Sequence, residues 1–95
     1  MLLNKMLEEI DNNKVKVSKF TLSPKGSTGF HVHTLDYVII PITDGKLKLI
    51  NKNKKETYAT LKAGEPYFRK KGVEHNVINI GPKTITFIEV EIKDN

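Results

Sequence analysis

The sequence contains no cysteine and no tryptophan among its 95 residues. Without cysteine there are no disulfides, no thiolate metal sites and no cysteine nucleophile. Long hydrophobic runs are missing too. No apolar stretch approaches the ~20 residues of a membrane-spanning helix, so no membrane partner is expected. The N-terminal stretch "MLLNKMLEEIDNN" lacks a secretory h-region and soon turns acidic. A cytoplasmic protein is therefore expected.

Arginine is almost absent. The net charge is +5, from 16 basic and 11 acidic residues, and Arg69 is the one basic residue that is not lysine. Nucleic-acid readers favour Arg for two-pronged contacts. Here Lys is spread over nearly every segment and mixed with Asn, as in "NKNKKE" (Asn51–Glu56), which reads as a solvated turn. No nucleic-acid partner is expected.

No repeat, low-complexity tract or long linker divides the chain. Regular punctuation is present instead: "SPKGSTG", "TDGK", "NKNKK", "KAGEP", "KKG" and "NIGPK" each carry the Gly, Pro, Asn or Asp that turns require. Between them lie segments rich in Val, Ile, Thr, Tyr and Phe: Val15–Leu22, Gly29–His33, Tyr37–Ile42, Lys46–Ile50, Glu56–Leu61, Tyr67–Arg69, Glu74–Asn79 and Thr84–Ile92. Strands at this spacing predict an all-β sandwich or barrel. One domain over residues 15–95 follows a short N-terminal arm, residues 1–14. Within the arm, Asn4–Ile10 is open to three readings: a short helix, an extra strand or a dimer arm. A chain this short exposes much of its surface, and a homodimer is expected.

Periodicity adds detail. In "GKLKLI" Leu47 and Leu49 alternate with lysines, as in a strand with one wet face. "YVIIPI" is apolar on both faces, so it should be covered by the opposite sheet and by a second subunit. "TITFIEVEI" begins with one apolar parity, Ile85 and Phe87, and ends with the other, Ile88, Val90 and Ile92. A bulge or burial on both faces would account for the switch.

Two of the three histidines, His31 and His33, stand one residue apart in "GFHVH". On a strand, residues i and i+2 share a face. Two imidazoles so placed can converge on one metal ion at about 2.0–2.1 Å. Sheet closure can bring His75 opposite them. An isolated H-x-H is a common tripeptide, and a strand histidine is more often a hydrogen-bonding residue than a ligand.

The surroundings carry a resemblance. Gly26, His31-Val32-His33 and Gly45 are similar to the first motif of the cupin family. Gly64, Gly72, His75 and Asn79 are similar to its second, with Lys70 in place of the usual Pro. The resemblance runs from about Val15 to Ile92. It implies a small antiparallel β-barrel of jelly-roll type (a double-stranded β-helix) and metal-ligating roles for His31, His33 and His75. A narrower resemblance, carried by "HVHTLDYVIIP", "YFR" and "GVEH", is to small cupins associated with β-alanine degradation.

One departure stands out. Tyr37 occupies the position where cupins usually carry a ligating Glu, and Asp36 is one residue early. Three accounts follow, in order of preference. Three histidines hold the metal and leave an open position. Alternatively a bulge turns Asp36 inward to complete a His₃Asp set. In the third, no metal binds and the histidines line an organic-ligand pocket. Tyr37 reads as a packing residue or as a hydrogen-bond donor to substrate. Arg69 reads as a fork for a substrate carboxylate or as half of a surface ion pair with Glu74 or Glu89. Glu89 and Glu91 share a face and read as solvated, with acid–base work as the lesser alternative; Phe68 and Phe87 read as core, with a pocket wall as the lesser alternative.

These readings combine into one expectation. One divalent metal (Fe, Mn, Ni or Zn) sits on His31, His33 and His75, with Asp36 as the candidate fourth ligand. Tyr37 and Arg69 are the candidate catalytic residues, and the ligand is a small polar molecule such as a carboxylate. The competing class is a non-catalytic binding module; a Lys-rich surface adaptor is the third.

Overall fold

A computed structural model describes residues 4–93. The three N-terminal residues of the expected arm and the two C-terminal residues of the expected domain lie outside the described residues. Among the described residues, alternating apolar residues and frequent turns produce nine strands: β1 Asn4–Asp11, β2 Val15–Leu22, β3 His31–Val32, β4 Asp36–Pro41, β5 Gly45–Asn51, β6 Glu56–Leu61, β7 Tyr67–Arg69, β8 Glu74–Asn79 and β9 Ile85–Ile92. Among the described residues there is no helix. Asn4–Ile10, open to a helical reading from sequence, belongs to β1, which pairs antiparallel with β2.

The strands form two antiparallel sheets. One runs β1-β2-β9-β4-β7 and the other β3-β8-β5-β6. Their facing sides supply the core: Leu22, Tyr37, Ile39, Ile85 and Phe87 from the first, and Leu47, Leu61 and Val77 from the second and its edge. Each fully buried aliphatic side chain here contributes roughly 1.5–3 kcal/mol by leaving water. Phe87 stacks on Phe20 at 5.2 Å between ring centroids. Gly45 lets β5 come close to β9, since a Cβ at that position would stand 2.4 Å from Ile85 Cδ1.

β9 keeps an unbroken register with both β2 and β4, so the parity switch has no bulge behind it. Ile85, Phe87 and Glu89 are buried on the inner face, while Ile88 and Val90 are half-buried on the outer. The register irregularity lies in β1, between Glu8 and Ile10. It brings Ile10 into a row with Val17, Val90, Val38 and Phe68, one apolar residue from each strand of the larger sheet. Phe68, expected in the core, is 49% exposed at the end of this row.

Candidate metal centre

Where the chain crosses from the smaller sheet to the larger, it carries the histidines. His31 on β3 lies directly opposite His75 on β8. His33 follows β3 and precedes β4. A backbone clamp fixes it: the His33 N–H donates to Val73 O at 2.8 Å, and the Gly72 N–H donates to His33 O at 2.7 Å. Gly72 makes this turn at φ 100°, a left-handed value that favours glycine.

The three Nε2 atoms converge. His31 Nε2 lies 2.9 Å from His33 Nε2, which lies 3.1 Å from His75 Nε2. The outer nitrogen of His31 is bound elsewhere. His31 Nδ1 is 2.9 Å from Gly29 O, a carbonyl that can only accept, so Nδ1 carries the proton and Nε2 is a bare lone pair. Burial, reinforced by charge on His31 and His75, lowers the His33 pKa to about 4. Burial and charge on His31 likewise lower that of His75 to about 4. Both rings are therefore neutral at pH 7, the state a metal requires of its ligands.

The spacing fits one ion. Ligand atoms about 2.1 Å from a metal stand about 3.0 Å apart at right angles and about 3.4 Å apart at the tetrahedral angle. The observed 2.9 and 3.1 Å agree with the right-angle arrangement.

The other expected residues divide. Tyr37 is buried and stacks on the His33 ring at 3.9 Å with an interplanar angle of 14°. Burial first, and then Glu89, push its phenol up to about 12. Asp36 is not brought to the histidines. It occupies the outer parity of β4, and its Oδ1 accepts a hydrogen bond from the Lys71 N–H at 2.9 Å. Without a bulge in β4, nothing re-aims the carboxylate inward. Arg69 is exposed; its guanidinium lies 4.5 Å from the Tyr67 ring centroid and donates to Phe68 O at 2.9 Å. Glu74, one of its candidate ion-pair partners, pairs with Lys52 at 3.5 Å.

Glu89 is the residue that sequence reasoning missed. It is 8% exposed, and its Oε1 lies 3.7 Å from His33 Nδ1. Burial first, and the neighbouring Glu91 second, raise its pKa to about 7. With His33 neutral, the contact joins a carboxylate to an imidazole N–H edge and is no full ion pair. The signal was in the strand: Ile85 and Phe87 set the inward parity, and Glu89 continues it.

The histidines, Tyr37, Arg69 and Glu89 border an internal cavity of about 50 Å³, whose remaining wall includes Phe20, Leu47 and Phe87. An outer recess of about 160 Å³ shares Tyr37, Leu49, Arg69 and His75 with it and adds Asn51, Lys55 and Thr57.

The comparisons with known proteins agree with this construction. The chain is 46% identical over 85 residues to the β-alanine degradation protein BauB of Pseudomonas aeruginosa, covering 90% of this chain and 88% of that one. A crystal structure of a cupin domain from Bordetella pertussis superposes with a TM-score of 0.87 at 40% identity, covering 98% of this chain and 94% of the other. The polyketide cyclase RemF from Streptomyces resistomycificus shares the fold at a TM-score of 0.73, with 22% identity over 96% of this chain and 66% of its own. The family model for the cupin domain matches residues 18–91. With two antiparallel sheets closed on a cluster of three histidines and that match spanning most of its length, the chain belongs to the cupin family.

Proposed function

We propose that this protein is a metal-dependent cupin that acts on a small polar metabolite, with one divalent ion held by His31, His33 and His75. The observation that carries the reading is the convergence of three Nε2 atoms, with Nδ1 of His31 turned away onto a backbone carbonyl. Three imidazole nitrogens suit Fe, Mn, Ni or Zn. When bound, such an ion supplies Lewis acidity towards a substrate oxygen. The chain's own groups do the rest. Tyr37 holds the His33 ring by stacking, and the apolar wall excludes water. The cavity and the outer recess share Tyr37, Leu49, Arg69 and His75, and together they give room to a metabolite. There Arg69 and Lys55 favour a carboxylate. The name of the Pseudomonas aeruginosa relative points in the same direction, towards small amino-acid-derived carboxylates.

The test is elemental analysis of purified, tag-free protein after growth with Fe, Mn, Ni and Zn supplied. Near-stoichiometric metal, absent from the His75→Ala variant, supports the reading. Equal metal in variant and parent sinks the three-histidine site. A second reading, a non-catalytic binding module, draws on the largely apolar wall of the cavity, with Phe20, Leu47 and Phe87. It predicts ligand binding without turnover for any small carboxylate offered.

The reading includes a homodimer. Its support is the apolar row Ile10, Val17, Val90, Val38 and Phe68 on the outer face of the larger sheet. Leu7 and Ile10 of β1 stand 55% and 47% exposed beside it. Sedimentation of parent and Phe68→Lys should give a dimer and a monomer respectively. A monomeric parent rules the dimer out.

A further inference from the structure

We infer that Glu89 is a positioning residue for the metal centre: its carboxylate accepts the Nδ1–H of His33 and so aims the His33 Nε2 lone pair at the ion. The inference rests on the three-histidine reading and adds a residue to it. Four observations carry it.

Glu89 lies on the inner face of β9, in the unbroken register that buries Ile85 and Phe87. It is therefore held inside by the pairing of the whole strand and cannot swing to solvent without breaking that pairing. Second, its side chain is 10% exposed, and no hydrogen bond from any described residue reaches it apart from the approach to His33. An apolar residue would suit the Phe20 and Phe87 wall of the cavity better than a carboxylate does, which marks Glu89 as more than a packing residue. Third, the atom it approaches is Nδ1, on the far edge of the ring from the Nε2 that meets His31 and His75. This geometry separates a supporting group from a ligand: an ion among the Nε2 atoms is out of reach of a carboxylate behind the ring. Finally, among the described residues no hydrogen bond occupies His33 Nδ1; Glu89 makes the approach at 3.7 Å, with Glu91 in the same cluster within 4.8 Å. His31 has Gly29 O at the equivalent edge, and Tyr37 covers the face of the His33 ring without offering an acceptor at that edge. The 3.7 Å separation is longer than a hydrogen bond, so the inference requires the Glu89 carboxylate to close on Nδ1 when the ion is bound.

In a neutral imidazole one nitrogen carries the proton, and an acceptor at Nδ1 leaves Nε2 free to ligate. Without Glu89, Nε2 of His33 can take the proton and donate it to Nε2 of His31, 2.9 Å away. The ion must then displace that hydrogen bond. Groups that support ligating histidines in this way typically change metal affinity 10–100-fold.

The experiment compares parent, Glu89→Gln and Glu89→Leu, using Co²⁺ and Zn²⁺ as probes. The amide of Gln keeps an acceptor oxygen; Leu removes it and keeps the bulk. We expect Glu89→Leu to bind either metal at least tenfold more weakly, Glu89→Gln to remain within a few-fold of parent, and metal-free Glu89→Leu to melt no lower than parent. In the Zn²⁺-loaded parent and Gln proteins, NMR should show a slowly exchanging downfield proton on His33 Nδ1. That signal should be lost in Leu. Parent-like affinity in a folded Glu89→Leu overturns this inference alone. A parent that takes up neither metal overturns the three-histidine site as well. If Glu89→Leu does not fold, Glu89→Met replaces it; parent-like affinity there, or no Nδ1 proton in the loaded parent, counts against Glu89.

Discussion

At one end of the sandwich Leu22, Leu61, Ile85 and Asn79 are at most 1% exposed. At the other end, His33, Tyr37 and Glu89 border a cavity. The same strands build both ends: β8 carries His75 and Asn79, and β9 carries Ile85 and Glu89. Each end buries a polar side chain, and the two are treated differently. The Asn79 amide donates to Leu22 O and Lys83 O at 2.9 and 2.8 Å and accepts from the Gly81 N–H at 2.9 Å. Its hydrogen-bonding capacity is nearly exhausted, and it ties three segments together. Glu89 has only the long approach to His33. One end is completed within the chain; the other is left with three imidazole Nε2 atoms facing one another and an incompletely partnered carboxylate. Stability resides in the first and binding in the second.

This division can be broken by mutation. The largest effect is expected at the sealed end. Leu61→Ala should cost about 2–5 kcal/mol in chemical denaturation. It should leave metal affinity per folded molecule unchanged; a parallel loss of metal would mean that the two ends are coupled. Next, His75→Ala should lower metal affinity by at least a hundredfold while the metal-free protein melts within a few degrees of parent. A large loss of metal-free stability would show that the histidines are core residues first.

A smaller effect follows from pH. His33 and His75 titrate near 4 in the folded chain against 6.5 when exposed, so the unfolded state takes up protons first. The stability they contribute is present above about 6.5 and is lost as pH falls towards 4. Glu89, raised from 4.5 to about 7, has the opposite sign: its contribution is present below 4.5 and is lost as pH rises through 7. Two histidines outweigh one glutamate, so the metal-free protein should melt lower at pH 5 than at pH 7. Glu89→Gln removes the opposing contribution and should steepen the fall. Parallel profiles for the two proteins would contradict this assignment of charge. The smallest effect is expected at Asp36→Asn. The amide oxygen can still accept from Lys71 N–H, so metal affinity and melting should both stay near parent. Metal loss as severe as in His33→Ala would make Asp36 a ligand after all.

Most of the fold was legible because its strands alternate and its turns carry Gly, Asn, Asp and Pro. The bounds read for β2, β6, β7 and β8 from the residues coincide with the structure. β1 was harder to read, since all eight of its residues are exposed and no alternation marks a buried face. The histidine cluster was visible from the H-x-H spacing and the family resemblance. Glu89 was hidden by the outer face. Ile88, Val90 and Ile92 are apolar on the outer side, so β9 looked as though its inside had changed sides, and the glutamates looked wet. Phe68 misled in the same way: an aromatic residue was read as core by type, and it lies on the outer row.

The position of β9 has a consequence for how the chain folds. It lies between β2 and β4, and its pairing of Ile92 with Val15 joins positions separated by almost the full length of the chain. The larger sheet is two separate pieces until the last strand arrives. Closing so long a loop is slow, and domains dominated by such pairings fold in milliseconds to seconds. On the ribosome, β2 and β4 must wait as open edges until β9 has emerged.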